Sequence, residues 1–265
     1  MTGPGNHHEL LALRAKRDGV TSHEVVEAED RQVPVRVFSP STTPQSVHLD
    51  IHGGGFYLGP TARENVRNQQ LADALGVAVV SVDYRIAPEN PWPAAPDDCE
   101  TAALWLMEHA AARFGTTRLS VGGFSAGSTL AVTTLMRLRD RGVRAFERAV
   151  LQFGTYDLSG LTPAGRLIAD EYFIRAYAGH VPDRTDPDIS PIYGDAGGLP
   201  PLLMIVGAED VLLADNKAMA ARVRAAGGEV DLRIYPGAPH AFTNRDTEVA
   251  KAARHDIECW MKKVA

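Results

Sequence analysis

The first strong pattern is a set of short apolar runs, evenly spaced and separated by amphipathic stretches. Residues 46–52, 77–85, 118–124, 148–154, 200–207 and 231–237 are rich in Val, Ile and Leu, and several are apolar almost throughout. That reading predicts strands, the continuous ones buried on both faces of a sheet. Between them, residues 63–76, 98–115, 126–142 and 213–228 predict helices, most of them closed by glycine. Residues 247–263 predict a last helix, with Val249, Ala253, Ile257 and Trp260 as its apolar stripe. Residues 8–17 predict a short leading helix, and 23–30 with 31–40 two strands around a turn, an antiparallel edge. Strands alternating with helices imply an α/β chain with a mostly parallel sheet covered on both faces.

Two segments depart from the alternation. The proline-rich stretch 87–98 is expected to be irregular. Residues 155–187 hold one helical run, 164–179, with apolar side chains on more than one side, followed by a polar loop. This insertion is expected to lie over the sheet's functional edge as a reduced helical cap. The expected organisation is a single domain over 1–265, with a short N-terminal lid segment at 1–22 and the cap insertion at 155–187.

Composition narrows the class. The chain has 265 residues, 45% of them hydrophobic, and a net charge of -6. A mildly acidic chain argues against nucleic acid as the main partner. The two cysteines, Cys99 and Cys259, are far apart and match no metal spacing, so neither a disulfide framework nor a metal site is expected. No basic-then-apolar leader and no apolar run of transmembrane length is present in the sequence. The expectation is a cytoplasmic protein without membrane or cofactor, acting on a small molecule and possible as a homodimer.

The candidate chemistry begins at Gly123-Phe124-Ser125-Ala126-Gly127, placed between a predicted strand and a predicted helix. A sharp strand-to-helix turn lifts a serine hydroxyl above the sheet edge and needs small neighbours. The competing role for Ser125 is an ordinary helix N-cap. A serine needs a base. Of nine histidines, His240 lies in a loop just past the last predicted strand, on the edge where open α/β sheets bind ligands. Its orienting carboxylate is expected from Asp210, after another buried strand, with Asp157 as the alternative and Asp215 as a helix-initiating acid. The order Ser, Asp, His along the chain matches that of α/β-hydrolases. Gly53, Gly54 and Gly55 lack the Cβ atoms that would screen their amides. They are expected, with the amide of Ala126, to stabilise an oxyanion. A phosphate loop is disfavoured because no Gly-Lys-Ser/Thr follows.

Four blocks then resemble one family. They are HGGGF at 52–56, VDYRIAPENPWPAAPDD at 82–98, GFSAGS at 123–128, and the set DPDISP, LPPLLMIVGAEDVLLAD and YPGAPHAF within 186–242. From Gln45 to its end the chain resembles the α/β-hydrolases of the hormone-sensitive-lipase type, the bacterial family IV carboxylesterases. The resemblance implies an α/β-hydrolase fold and hydrolysis of short- to medium-chain carboxylic esters without a cofactor. It implies Ser125 as nucleophile, His240 as base, Asp210 as its orienter, and oxyanion donors at Gly54, Gly55 and Ala126. His52 would support the glycine loop. Phe124 stands where the family more often has a polar or acidic residue, and Ser128 where it usually has a second glycine. An amidase or lactonase would use the same triad. A non-catalytic small-molecule binder on the same fold, like the plant gibberellin receptors, would lack the triad histidine.

Overall fold

The computed structural model describes residues 3–16 and 23–263. The rest of the expected lid segment, residues 1–2 and 17–22, lies outside the described residues. Eight strands form one sheet: β1 Glu24–Ala28, β2 Arg31–Phe38, β3 Val47–Ile51, β4 Ala78–Val82, β5 Leu119–Phe124, β6 Phe146–Gln152, β7 Leu202–Gly207 and β8 Val230–Tyr235. Their order is β1-β2-β4-β3-β5-β6-β7-β8. The pairs β1–β2 and β2–β4 are antiparallel and every other pair is parallel. Every strand run read from the sequence is present, with ends shifted by a few residues. The run 231–237 forms an outer strand, as its half-buried pattern requires.

The helices are α1 His7–Ala15, α2 Ala62–Leu75, α3 Ala94–Phe114, α4 Ala126–Asp140, α5 Pro163–Arg166, α6 Tyr172–Ala178, α7 Leu213–Ala225 and α8 Glu248–Lys262. Thr61 opens α2 with a reciprocal capping box to Glu64, and Gly76 closes it in the left-handed conformation. Gly115 closes α3 in the same way.

The sheet is covered on both faces because its strands alternate side chains. Along β7, Leu202 and Met204 join the cluster that includes Met219 of α7. Leu203 and Ile205 join the one that includes Ala253 and Ile257 of α8. Burying a side chain the size of Leu203 stabilises the fold by about 1.5–3 kcal/mol.

Two expectations are corrected. The proline-rich stretch is not irregular throughout, since α3 already starts at Ala94. Pro96 falls in its first turn, where a proline removes no helical hydrogen bond. The run 164–179 is two short helices, α5 and α6, rather than one. Ile168 and Ile174 are both buried. Six residues apart, they would point about 120° away from each other around one straight helix. The break lets both sides of the run find cover.

The topology creates the crevice. From β3 the chain crosses through α2 to β4 on one side, and from β5 through α4 to β6 on the other. Neighbouring parallel strands whose connections diverge leave a gap at their carboxyl ends, where open α/β sheets bind ligands. The glycine loop leaves β3 there, and the Ser125 turn leaves β5.

Candidate active site

Ser125 joins β5 to α4 with φ 53° and ψ -124°, a conformation costly for a residue with a side chain. Its neighbours explain the tolerance for glycine only. A Cβ on Gly127 would lie 1.9 Å from the Ile51 carbonyl oxygen, and one on Gly123 would lie 2.5 Å from Gly127. The turn is therefore pressed against β3 with no room for side chains. The Ser125 amide donates to the Gln152 carbonyl at 2.8 Å. Its hydroxyl does not cap α4. It lies 3.2 Å from His240 Nε2 instead, so the N-cap role is not the one the structure shows.

His240 Nδ1 donates to Asp210, at 2.9 Å from Oδ2 and 3.1 Å from Oδ1. That contact fixes the tautomer that leaves Nε2 free to accept a proton. The Asp210 side chain is wholly buried and that of His240 is 27% exposed. The two loops that bring them together are laced by backbone bonds. The Glu209 amide donates to the Ala238 carbonyl at 3.0 Å, and the Ala208 amide to the Tyr235 carbonyl at 2.8 Å. Phe153 meets the imidazole edge-on, with ring centres 5.1 Å apart.

The other carboxylates are engaged elsewhere. Asp157 accepts from the amides and hydroxyls of Ser159 and Thr162, all within 2.6–2.9 Å. Burial alone would raise its pKa, but those bonds hold it below the usual carboxylate range. It organises its own loop. Glu209 is exposed. Asp215 does not start α7 as a surface acid. It is buried and accepts from the amides of Tyr156 and Asp157 at 2.5 and 3.3 Å, while its Oδ1 has no hydrogen-bond partner. Burial raises its pKa to about 6.

A carboxyl whose folded pKa lies above its unfolded one ionises first in the unfolded chain. Its cost therefore grows from about pH 4 to pH 6 and is constant above. Asp215→Asn should gain on the wild type by about 2–3 kcal/mol across that window. Urea denaturation at pH 4 and pH 7 measures it, and an equal difference at both values rules the effect out.

Gly54, Gly55 and Ala126 line the same cleft as Ser125 and His240. Gly53 is buried, and a Cβ there would meet the Phe124 ring at 2.7 Å. The loop turns at Gly54 and Gly55, with φ 114° and 59°. His52 Nδ1 donates to the Gly53 carbonyl at 2.7 Å, and its ring stacks on Tyr84 at 4.2 Å. The cleft has a volume of about 640 Å³, and Tyr57, Ile168, Tyr172, Phe173 and Val211 are among its apolar walls.

Two further residues support the site, one inside the serine motif and one outside every motif. Ser128 donates to the Gly123 carbonyl at 2.8 Å and accepts from the Gln152 amide at 2.9 Å, tying the serine turn to β6. Arg14 of α1 donates to the carbonyls of Tyr57 and Ala87 at 3.0 and 2.6 Å and pairs with Glu89, so the first helix holds the end of the glycine loop. Among the described residues no group of three or more His, Cys, Asp or Glu side chains could hold a metal ion. No helix among them is long and apolar enough to cross a membrane.

Comparison with known proteins places the chain in a family and a fold. A family profile described as the α/β hydrolase fold matches residues 48–244. The carboxylic ester hydrolase LipN of Mycobacterium tuberculosis is 32% identical over 233 residues, covering 80% of this chain and 61% of LipN. The chain thus spans less than two thirds of that relative's length. The ethyl acetate hydrolase of Pseudomonas putida is 30% identical over 260 residues, covering 92% of this chain and 82% of the other. Among solved structures, a hyperthermophilic esterase from the archaeon Pyrobaculum calidifontis superposes with a TM-score of 0.84 at 28% identity, covering 96% of this chain and 88% of that one. An esterase from the bacterial hormone-sensitive lipase family gives a TM-score of 0.80 at 29% identity, covering 97% and 88%.

Proposed function

The chain belongs to the α/β-hydrolases, in their hormone-sensitive-lipase branch, and from that premise we propose that it is a serine carboxylesterase acting on short- to medium-chain esters. The observation that carries the reading is the continuous line Asp210–His240–Ser125, ending in a cleft that Gly54, Gly55 and Ala126 also face.

In this reading His240 Nε2 takes the Ser125 proton as the hydroxyl oxygen attacks the ester carbonyl carbon. Asp210 stabilises the imidazolium that forms. The carbonyl oxygen becomes an oxyanion and is held by the amides of Gly54, Gly55 and Ala126. Gly53 belongs to the packing beneath the loop rather than to the donors. Collapse of the tetrahedral adduct expels the alcohol, which receives the proton from His240. Water then releases the acid from Ser125 by the same steps in reverse.

Residues 155–187, with the described part of the 1–22 segment, act as a reduced cap over the cleft. Gly3 packs against Tyr172 at the cleft wall and supports that assignment. The reading includes a cytoplasmic location and a homodimer formed along the outer strand β8, where Ile234 is exposed.

A cleft of about 640 Å³ suits small ligands. Rates on p-nitrophenyl esters should peak at acetate to hexanoate and fall by about tenfold or more towards laurate, as a shallow acyl site predicts. A rate rising steadily to laurate contradicts the short-chain assignment. A matched p-nitroanilide cleaved faster than the ester would make the protein an amidase.

A further inference from the structure

Phe124, directly before the nucleophile, is the motif residue the catalytic line leaves unused. The guanidinium of Arg67, on α2, lies over its ring at 4.5 Å from the centroid. The edges of the same group point two ways. Nη2 donates to Asp50 on β3 at 3.3 Å, and Nη1 donates to the Asn244 side chain at 3.3 Å. Asp50 is itself buried and accepts from Asn68 at 2.8 Å and Ser81 at 3.1 Å. Burial alone would raise its pKa, yet the charge of Arg67 and the hydrogen bond from Asn68 help hold it below the usual range. Asp50 is therefore a fixed, ionised anchor for Arg67.

The two other contacts join the halves of the site. Phe124 carries Ser125 on one side and packs beneath Gly53 on the other. Asn244 ends the short helical turn Phe242–Asn244 that follows His240. Arg63 and Arg254 hold the same turn through the carbonyls of Asn244 and Thr243, at 2.8 and 2.6 Å. Of these three arginines, Arg67 is the one whose guanidinium lies over the Phe124 ring.

We propose that Arg67 is a positioning residue that holds the Ser125 turn and the His240 loop in register, its flat face on Phe124 and its edges on Asp50 and Asn244. It touches no substrate, and its effect on turnover rests on the esterase reading above. The geometry demands arginine. A lysine ammonium keeps a cation over the ring but cannot reach Asp50 and Asn244 together from one planar fork. Ser125, with φ 53°, keeps its strained backbone only while its surroundings hold it.

The test compares Arg67→Met, Arg67→Lys and Phe124→Leu with the wild type. It measures kcat and KM on p-nitrophenyl butyrate, and hydrogen exchange by mass spectrometry over residues 240–245. Arg67→Met should lower kcat about tenfold with KM within about twofold, because a small misalignment of reacting groups costs turnover before binding. Arg67→Lys should recover only part of the loss. In the Phe124→Leu background the further loss from Arg67→Met should be smaller than in the wild type. Exchange over 240–245 should quicken in Arg67→Met.

If Arg67→Met fails to fold because Asp50 is left unpaired, the double variant Asp50→Asn/Arg67→Met carries the same measurements without a stranded charge. An unchanged kcat with unchanged exchange overturns the proposal, and so does full recovery by lysine. A wild type that cleaves no ester defeats the esterase reading alone, since the exchange comparison still decides whether Arg67 holds the loop.

Discussion

Ser125→Ala is expected to leave a folded protein whose ester hydrolysis has fallen by about 10⁴-fold or more, the scale on which single triad members matter. The expectation rests on three features of this chain. The hydroxyl oxygen is the only heavy atom removed, and it faces His240 Nε2 at 3.2 Å. The backbone that holds the turn is anchored independently, by the Ser125 amide on the Gln152 carbonyl and by Ser128 on Gly123. Alanine keeps the strained φ no better than serine, so the turn should change little. Circular dichroism and a melting curve establish folding, and p-nitrophenyl butyrate reads the activity. Hydrolysis within tenfold of the wild type would mean that another group attacks the ester.

Gly54→Ala should have the next largest effect, and by a different route. Gly54 has φ 114°, which a side chain strongly disfavours, and a Cβ would stand 2.5 Å from the Leu58 carbonyl oxygen. The Gly54 carbonyl also accepts the amides of Tyr57 and Leu58, at 3.2 and 2.9 Å. Alanine must therefore shift this tight turn and with it the amides of Gly54 and Gly55. The sheet beneath is untouched, because β3 ends at Ile51. The expected result is a fall in kcat of about 10²–10³-fold, as for loss of an oxyanion donor, with KM changed little. Equal losses in kcat and in folded fraction would instead make the glycine a purely structural requirement.

The parts of the site that were legible in the sequence are those where chemistry restricts the residue type. A strained turn under β3 tolerates only glycine on both sides of Ser125, so the pattern at 123–127 is visible by itself. A histidine past the last strand and an acid past the strand before it follow from the order of a parallel sheet. The alternation of apolar runs likewise gave the sheet and its helices.

What stayed hidden depends on contacts between residues far apart in the chain. Arg67 and Phe124 are an unremarkable helix cation and a motif filler until α2 is laid beside β5. Asp215 reads as a helix-initiating acid because its burial comes from the loop after β6, not from its own neighbours. Ser128 looks like a lost glycine, whereas its hydroxyl binds β6 in place of close backbone packing. The split between α5 and α6 is hidden for a related reason. Apolar residues all round a run indicate burial, but not that a break supplies it. In the sequence the three glycines 53–55 look equivalent. The fold separates them, with one packed under Phe124 and two facing the cleft.

The central claim is that Ser125 is a nucleophile made reactive by His240 and Asp210. Incubation of the folded protein with a fluorophosphonate, followed by intact mass and peptide mapping, tests it most directly. The account predicts one adduct per chain, located on Ser125, and slowed by on the order of 10³-fold or more in His240→Ala. A folded protein that stays unlabelled, or an adduct on any other residue, would contradict it.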